Sequence, residues 1–151
     1  MELLFKISFL ILSALFTGVA LFLSTVLRET FNALTEEQYY AVFSKIIVNG
    51  RKSIAISMIV LIPILIFVAY LIYGFRNQFF IIGALLYVLG SFVSSRLINE
   101  PLYTQLLKAN INDQAELFRL RGLVNKGNIT RAIFSLFGIV LVGISIYYNY
   151  P

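Results

Sequence analysis

Residues 53–75 form 23 consecutive positions without a charge, SIAISMIVLIPILIFVAYLIYGF. At roughly 1.5 Å of rise per residue, a helix of this length reaches about 34 Å, enough to cross a hydrocarbon core of about 30 Å. Three further uncharged runs lie at residues 7–27, 77–95 and 132–150. The sequence therefore predicts four membrane spans, which with their loops use the whole chain as one domain, 1–151. Composition agrees: 60% of the residues are hydrophobic and 13% charged, whereas soluble domains carry about 25% charged residues. The expected fold is all-α, an integral membrane four-helix bundle.

Each segment carries its own signals. The first run passes through a small-residue site at Gly18-Val19-Ala20 that could serve a signal peptidase, but Glu2 offsets Lys6 and the apolar run continues beyond it. A retained span is expected rather than a cleaved leader. Ala14 and Gly18 make a small-xxx-small pair, a spacing that admits a close helix neighbour or arises by chance in so apolar a segment. In the first polar connection, 28–52, Thr35-Glu36-Glu37-Gln38 reads as a capping box. Tyr39, Val42, Phe43, Ile46 and Ile47 then recur at helical spacing, predicting an amphipathic helix at the membrane interface. Pro63 falls near the middle of the second span and removes a hydrogen bond to the carbonyl of Ile59, so a kink is expected there.

The very short connection at 74–77 makes spans two and three an antiparallel hairpin. Gly83, Gly90 and Ser94 put small residues on one stripe of the third span, with Tyr87 beside them as a phenol in need of a hydrogen-bond partner. In the second long connection, 96–131, Pro101 suits the first turn of a short amphipathic helix ending near Ala109. Asp113-Gln114-Ala115-Glu116 reads as a second capping box, opening a helix with Leu117, Leu120, Leu123 and Val124 on one side and a stop at Gly127.

Ten of the twelve Lys and Arg residues lie in connections 28–52 and 96–131; Lys6 and Arg76 are the other two. This is a topology signal rather than a nucleic-acid signal. It puts both large loops in the cytoplasm and both termini outside, in a plasma or bacterial inner membrane. The opposite face carries Tyr73, Phe75, Phe79, Phe80, Tyr147, Tyr148 and Tyr150, expected as an aromatic belt.

The chain has no Cys and no His. Thiolate chemistry, Cys-ligated zinc and the commonest general base are excluded, and neither a metal site nor a cofactor is expected. No span contains an ionisable group other than tyrosine, which ranks ion pumping and coupled transport low. The remaining polar residues gather at one membrane boundary. Arg28 and Glu29 end span one, Arg51 opens span two, Arg96, Asn99 and Glu100 follow span three, and Asn125, Asn128 and Arg131 precede span four. In an up-down bundle these ends meet, and the group is either a binding site for a polar ligand with an apolar body or a set of topology and lipid-headgroup residues.

Gly18-Val19-Ala20-Leu21-Phe22 and Ala33-Leu34, then Asn99-Glu100-Pro101-Leu102 followed by Asn125, Asn128 and Arg131, resemble the anthrone-oxygenase-like family of small four-span membrane proteins. The resemblance implies a four-helix membrane bundle and, as in characterised members, cofactor-free oxygenation of polycyclic anthrones. This chain departs from the family in having no Trp or His, and it carries Tyr103 after Leu102, where an asparagine is common. A base for such chemistry would have to be Glu29, Glu100 or Tyr103. Three functional readings are open. The first is a non-catalytic protein that binds membrane lipid or a membrane-protein partner, a second copy of itself included. The second is an enzyme acting on an apolar, oxygenated molecule, with Asn128 and Arg131 orienting an oxyanion and Glu100 as base. The third is an oligomeric efflux or channel element.

Overall fold

The four uncharged runs become four helical units long and apolar enough to cross a membrane, Glu2–Asn32, Ile54–Ile72, Gln78–Lys108 and Gln114–Tyr147. The computed structural model describes residues 1–148, and among them no strand forms. In chain order the helices are α1 (Glu2–Ser24), α2 (Val26–Asn32), α3 (Glu36–Lys52), α4 (Ile54–Ile72), α5 (Gln78–Val88), two π-helical segments (Leu89–Val93 and Ser95–Asn99), α6 (Glu100–Lys108) and α7 (Gln114–Tyr147).

The first unit begins at Glu2 rather than at residue 7, which carries Lys6 into the helix. Lys6 is 0% exposed and pairs with Glu2 at 2.9 Å. Tyr70 donates to the same carboxylate at 2.7 Å, and the Asn77 N–H donates to the Tyr70 hydroxyl at 3.1 Å. A residue expected to flank the apolar run is thus buried within a polar network that ties three helices together at one end. At the other end, Thr25 Oγ1 and the Thr25 N–H both donate to the Leu21 carbonyl, at 2.7 and 2.9 Å. The backbone at Thr25 turns to φ −112°, ψ −79°, separating α1 from α2. Hydroxyls that bond back to the preceding turn bend helices in this way.

Local signals account for most boundaries. The Thr35 capping box forms in both directions, with Gln38 N–H donating to Thr35 Oγ1 and Thr35 N–H to Gln38 Oε1. Only half of the second box appears: Asp113 Oδ1 accepts from the Glu116 N–H at 3.0 Å, while the Glu116 carboxylate turns to Arg119. The tight connection between α4 and α5 passes through Gly74 at φ +80°, a left-handed conformation that favours glycine. Pro63 lies inside α4, and the Ile59 carbonyl it leaves without an N–H partner accepts from the Tyr87 hydroxyl at 2.9 Å. Two isolated sequence signals, a mid-span proline and a deep phenol, thereby satisfy one another.

Two expected interruptions are absent. The third helix continues through Pro101 into α6, by way of the π-helical segments. Ser94 and Ser95 donate to the Gly90 and Ser91 carbonyls at 2.6 and 2.5 Å, competing for the acceptors of the α pattern, and the Glu100 N–H reaches back to the Ser95 carbonyl. Gly127 does not stop α7, which is unbroken. Its role is clearance: a methyl group there would lie 2.7 Å from Asn99 Oδ1.

The Gly83–Gly90 stripe does form the close-packed face. Gly83 lies against the Gly138 carbonyl, and Gly90 against Ser135 and the Arg131 carbonyl. A methyl group at Gly18 would meet nothing among the described residues within 4 Å, so no close helix approach is made there. Among the residues expected as an aromatic belt, Tyr73, Phe79, Tyr147 and Tyr148 are exposed, whereas Phe80 is in the core; Tyr150 lies outside the described residues.

Two apolar cores result. Phe9, Phe16, Phe67, Tyr70, Phe80, Tyr87 and Val142 fill the bundle. Phe31, Tyr39, Phe43, Ile47, Leu106, Leu117, Leu120 and Val124 fill a second cluster, where α3 and α6 fold over the end of α7. The stripe expected on α3 divides accordingly: Tyr39, Phe43 and Ile47 are buried, whereas Val42 and Ile46 remain exposed. Helix α4 packs chiefly on α1 and touches α5 only briefly. This uneven packing leaves room beside α4.

Candidate functional site

A cavity of about 540 Å³ lies at the junction of the two cores, with walls drawn from all four long helical units and from α3. Phe16, Phe43, Ile47, Val60 and Phe92 supply much of its apolar lining, and Ser91, Ser95, Tyr103 and Arg131 its inner polar groups. Arg51, Arg96 and Glu100 complete its lining on the solvent-accessible side. The volume falls in the range of small-molecule sites, about 300–1,000 Å³, and an apolar wall with a few convergent polar groups is their usual composition.

Glycine clearance lets the polar groups converge. Because Gly127 has no side chain, α7 comes close enough for Asn99 Nδ2 to donate to Asn128 Oδ1 at 2.9 Å. The same oxygen accepts from the Tyr103 hydroxyl at 3.3 Å and from Arg131 NH2 at 3.1 Å. Asn99 Nδ2 also reaches the Tyr103 oxygen at 3.2 Å. Arg131 NH1 extends to Ser95 Oγ at 3.4 Å, and the guanidinium lies over the Phe16 ring at 5.7 Å. Arg131 is only 8% exposed. All its hydrogen-bond partners among the described residues are neutral, and its Nε has none. A buried cation without a counter-charge costs several kcal/mol, and a ring face offsets only part of that.

The outer part of the cavity is held differently. Arg51 NH2 pairs with Glu100 Oε1 at 2.6 Å and donates to Thr104 Oγ1 at 2.9 Å. This joins the C-terminus of α3 to the start of α6. Arg96 lies over the Phe92 ring at 5.9 Å and is exposed.

The structure thus brings together most of the expected residues. Arg51, Arg96, Glu100 and Arg131 line the cavity, and Asn99 and Asn128 form the network that fixes Arg131. Two others stand apart: Asn125 donates to Asn32 at 3.1 Å on an exposed surface, and Arg28 lies on α2 outside the cavity lining. Glu100 and Arg131, the residues an enzyme reading would pair, have separate partners.

Sequence reasoning missed Phe16, Ser91 and Ser95, contributed by spans that read as uniformly apolar. It also missed the part played by Arg121, which is 8% exposed. This arginine donates to the Phe31 and Leu34 carbonyls at 3.2 and 3.0 Å and pairs with Glu36 at 2.5 Å. Its guanidinium lies over the Tyr39 and Phe118 rings. One signal was available, since Arg121 falls one turn after Leu117 on the apolar side of its helix.

Among the described residues no three carboxylate, imidazole or thiol groups gather as metal ligands. The chain matches no protein-family model, no curated protein and no solved structure.

Proposed function

We propose that this chain is an integral membrane protein that binds an apolar small molecule or lipid, bearing a polar oxygen-containing group, in the cavity between α4 and the third helix. The observation that carries this reading is the cavity itself, apolar over most of its wall and supplied with a buried, incompletely partnered arginine. In the proposed topology the termini are outside, the connections 28–52 and 96–131 are cytoplasmic, and α3 and α6 lie at the inner interface. The ten basic residues of those connections support that orientation. Membrane lipids are then both solvent and candidate ligands.

Binding, rather than turnover, accounts for the geometry with the fewest further demands. The carboxylate offered as a base, Glu100, is paired with Arg51 at 2.6 Å, so it would have to leave that ion pair to meet a substrate proton. The test is native mass spectrometry of the protein extracted from its membrane with minimal delipidation, beside a Val60→Trp variant that fills the cavity from α4. A stoichiometric bound molecule, lost from the folded variant, is the expected result. An identical set of adducts on both proteins would overturn the reading.

A further inference from the structure

The charges around the cavity specify its ligand more narrowly than its volume does. Three arginines, Arg51, Arg96 and Arg131, line it against one acid, Glu100. Arg51 and Glu100 neutralise one another at 2.6 Å, leaving two positive charges, of which Arg131 is buried against neutral partners. Among the described residues no other carboxylate lines the cavity. An apolar, low-dielectric enclosure that holds an unbalanced guanidinium favours an occupant carrying the missing negative charge, because each charge then reduces the desolvation cost of the other.

The route of entry follows from the rim. Leu61 of α4 and Phe92 of the third helix both line the cavity, yet they are 51% and 41% exposed. They border the gap left where α4 barely touches the third helix. Apolar residues exposed on the flank of a bundle face lipid, so a ligand passing between them comes from the bilayer with its apolar part in the gap. From the reading that the cavity binds an apolar molecule, we infer further that its ligand is a single-chain amphiphile with an anionic head, a long-chain carboxylate or its lysophosphate counterpart. The head sits on Arg131, within reach of Ser91, Ser95 and Tyr103, and the chain runs along Val60 and Leu61 towards the bilayer.

The test is equilibrium binding of radiolabelled oleate, oleoyl lysophosphatidic acid and oleyl alcohol to the full chain in zwitterionic nanodiscs. The three share a chain and differ in the head. At least one of the anions should bind saturably, one per protein, and at least about tenfold more tightly than the alcohol, the scale of one charge-assisted hydrogen bond. Which anion does so identifies carboxylate or phosphate as the natural head. Arg131→Gln should abolish the preference and Arg131→Lys should keep it, while Val60→Trp should weaken all binding. Equal affinity for the alcohol and both anions overturns the charge assignment but, if Val60→Trp still blocks binding, leaves the cavity reading intact. Binding that Val60→Trp does not alter overturns both. The comparison among the three ligands on the unmodified protein remains decisive even if a variant fails to fold.

Discussion

Tyr39 and Arg121 share one buried contact but respond oppositely to substitution. The Tyr39 hydroxyl is buried and has no hydrogen-bond partner among the described residues, so the fold already carries the cost of desolvating it. Tyr39→Phe removes that cost and should leave stability unchanged or raise it by about 1 kcal/mol, measured by thermal unfolding in detergent. Burial also raises the phenol above its ordinary value of 10.0, with nearby Tyr103 and Glu36 adding to the shift and Arg121 opposing it. The unfolded chain therefore loses this proton first as pH rises, and the stability tied to the neutral phenol declines from about pH 10 upward. Between about pH 10 and 12 the Phe variant should lose less stability than the parent, and parallel curves would refute the assignment. Arg121 is the reverse case, because the Glu36 carboxylate and the Leu34 carbonyl depend on it, whereas the Phe31 carbonyl it also reaches accepts from the Leu34 N–H at 3.1 Å as well. Arg121→Ala leaves the largely buried Glu36 carboxylate without its counter-charge, and a loss of about 3–5 kcal/mol is expected.

Glycines at close approaches decide how the helices meet, and two of them make a controlled comparison. A methyl at Gly90 would come within 2.7 Å of the Ser135 backbone nitrogen and 2.9 Å of the Arg131 carbonyl. These are backbone atoms that cannot rotate away, so Gly90→Ala must part the third and fourth helices at the level of Arg131. A destabilisation of about 1–3 kcal/mol is expected, together with weaker ligand binding. A methyl at Gly18 would meet nothing among the described residues within 4 Å, and Gly18→Ala should stabilise its helix by about 0.5–1 kcal/mol. If the two variants melt alike, close packing is not what holds this face. The sequence made the Gly83–Gly90 stripe legible because both residues keep the ordinary helical phase, ahead of the π-helical turns or at their very start. Beyond them, the unbroken run of the helix through Pro101 was not legible. Each extra residue in a turn rotates the rest of the helix by about 100°, and no local signal marks where Ser94 and Ser95 occupy the Gly90 and Ser91 carbonyls. Gly127 misled for a related reason: clearance for Asn99 and a helix stop look the same in sequence, and only the neighbouring helix distinguishes them.

At the scale of the molecule, the apolar runs and their approximate limits were legible because a span is defined by length and charge alone. The boundary cluster was legible in part, since chain ends that meet in a bundle can be counted without knowing rotations. Asn99, Asn128, Arg131, Arg51, Arg96 and Glu100 join in one region, whereas Arg28 and Asn125 do not, because their helices turn them elsewhere. Phe16 and the α3 wall were not legible, for they depend on how α3 folds back over the bundle. Sidedness is open to direct test in this chain. It contains no cysteine, so a single introduced thiol reports without background. Asn112 lies in the exposed turn before α7, and Gln78 lies exposed at the opposite end, at the start of α5. With large loops inside, Asn112→Cys should react with a membrane-impermeant maleimide only after the cytoplasmic face is opened. Gln78→Cys should react from outside in intact cells. The reverse pattern would invert the topology and place the Arg51–Glu100 pair on the outer face. Equal labelling of both sites before and after permeabilisation would mean that the four helices do not cross the bilayer, and entry of a ligand between Leu61 and Phe92 from the lipid would lose its basis.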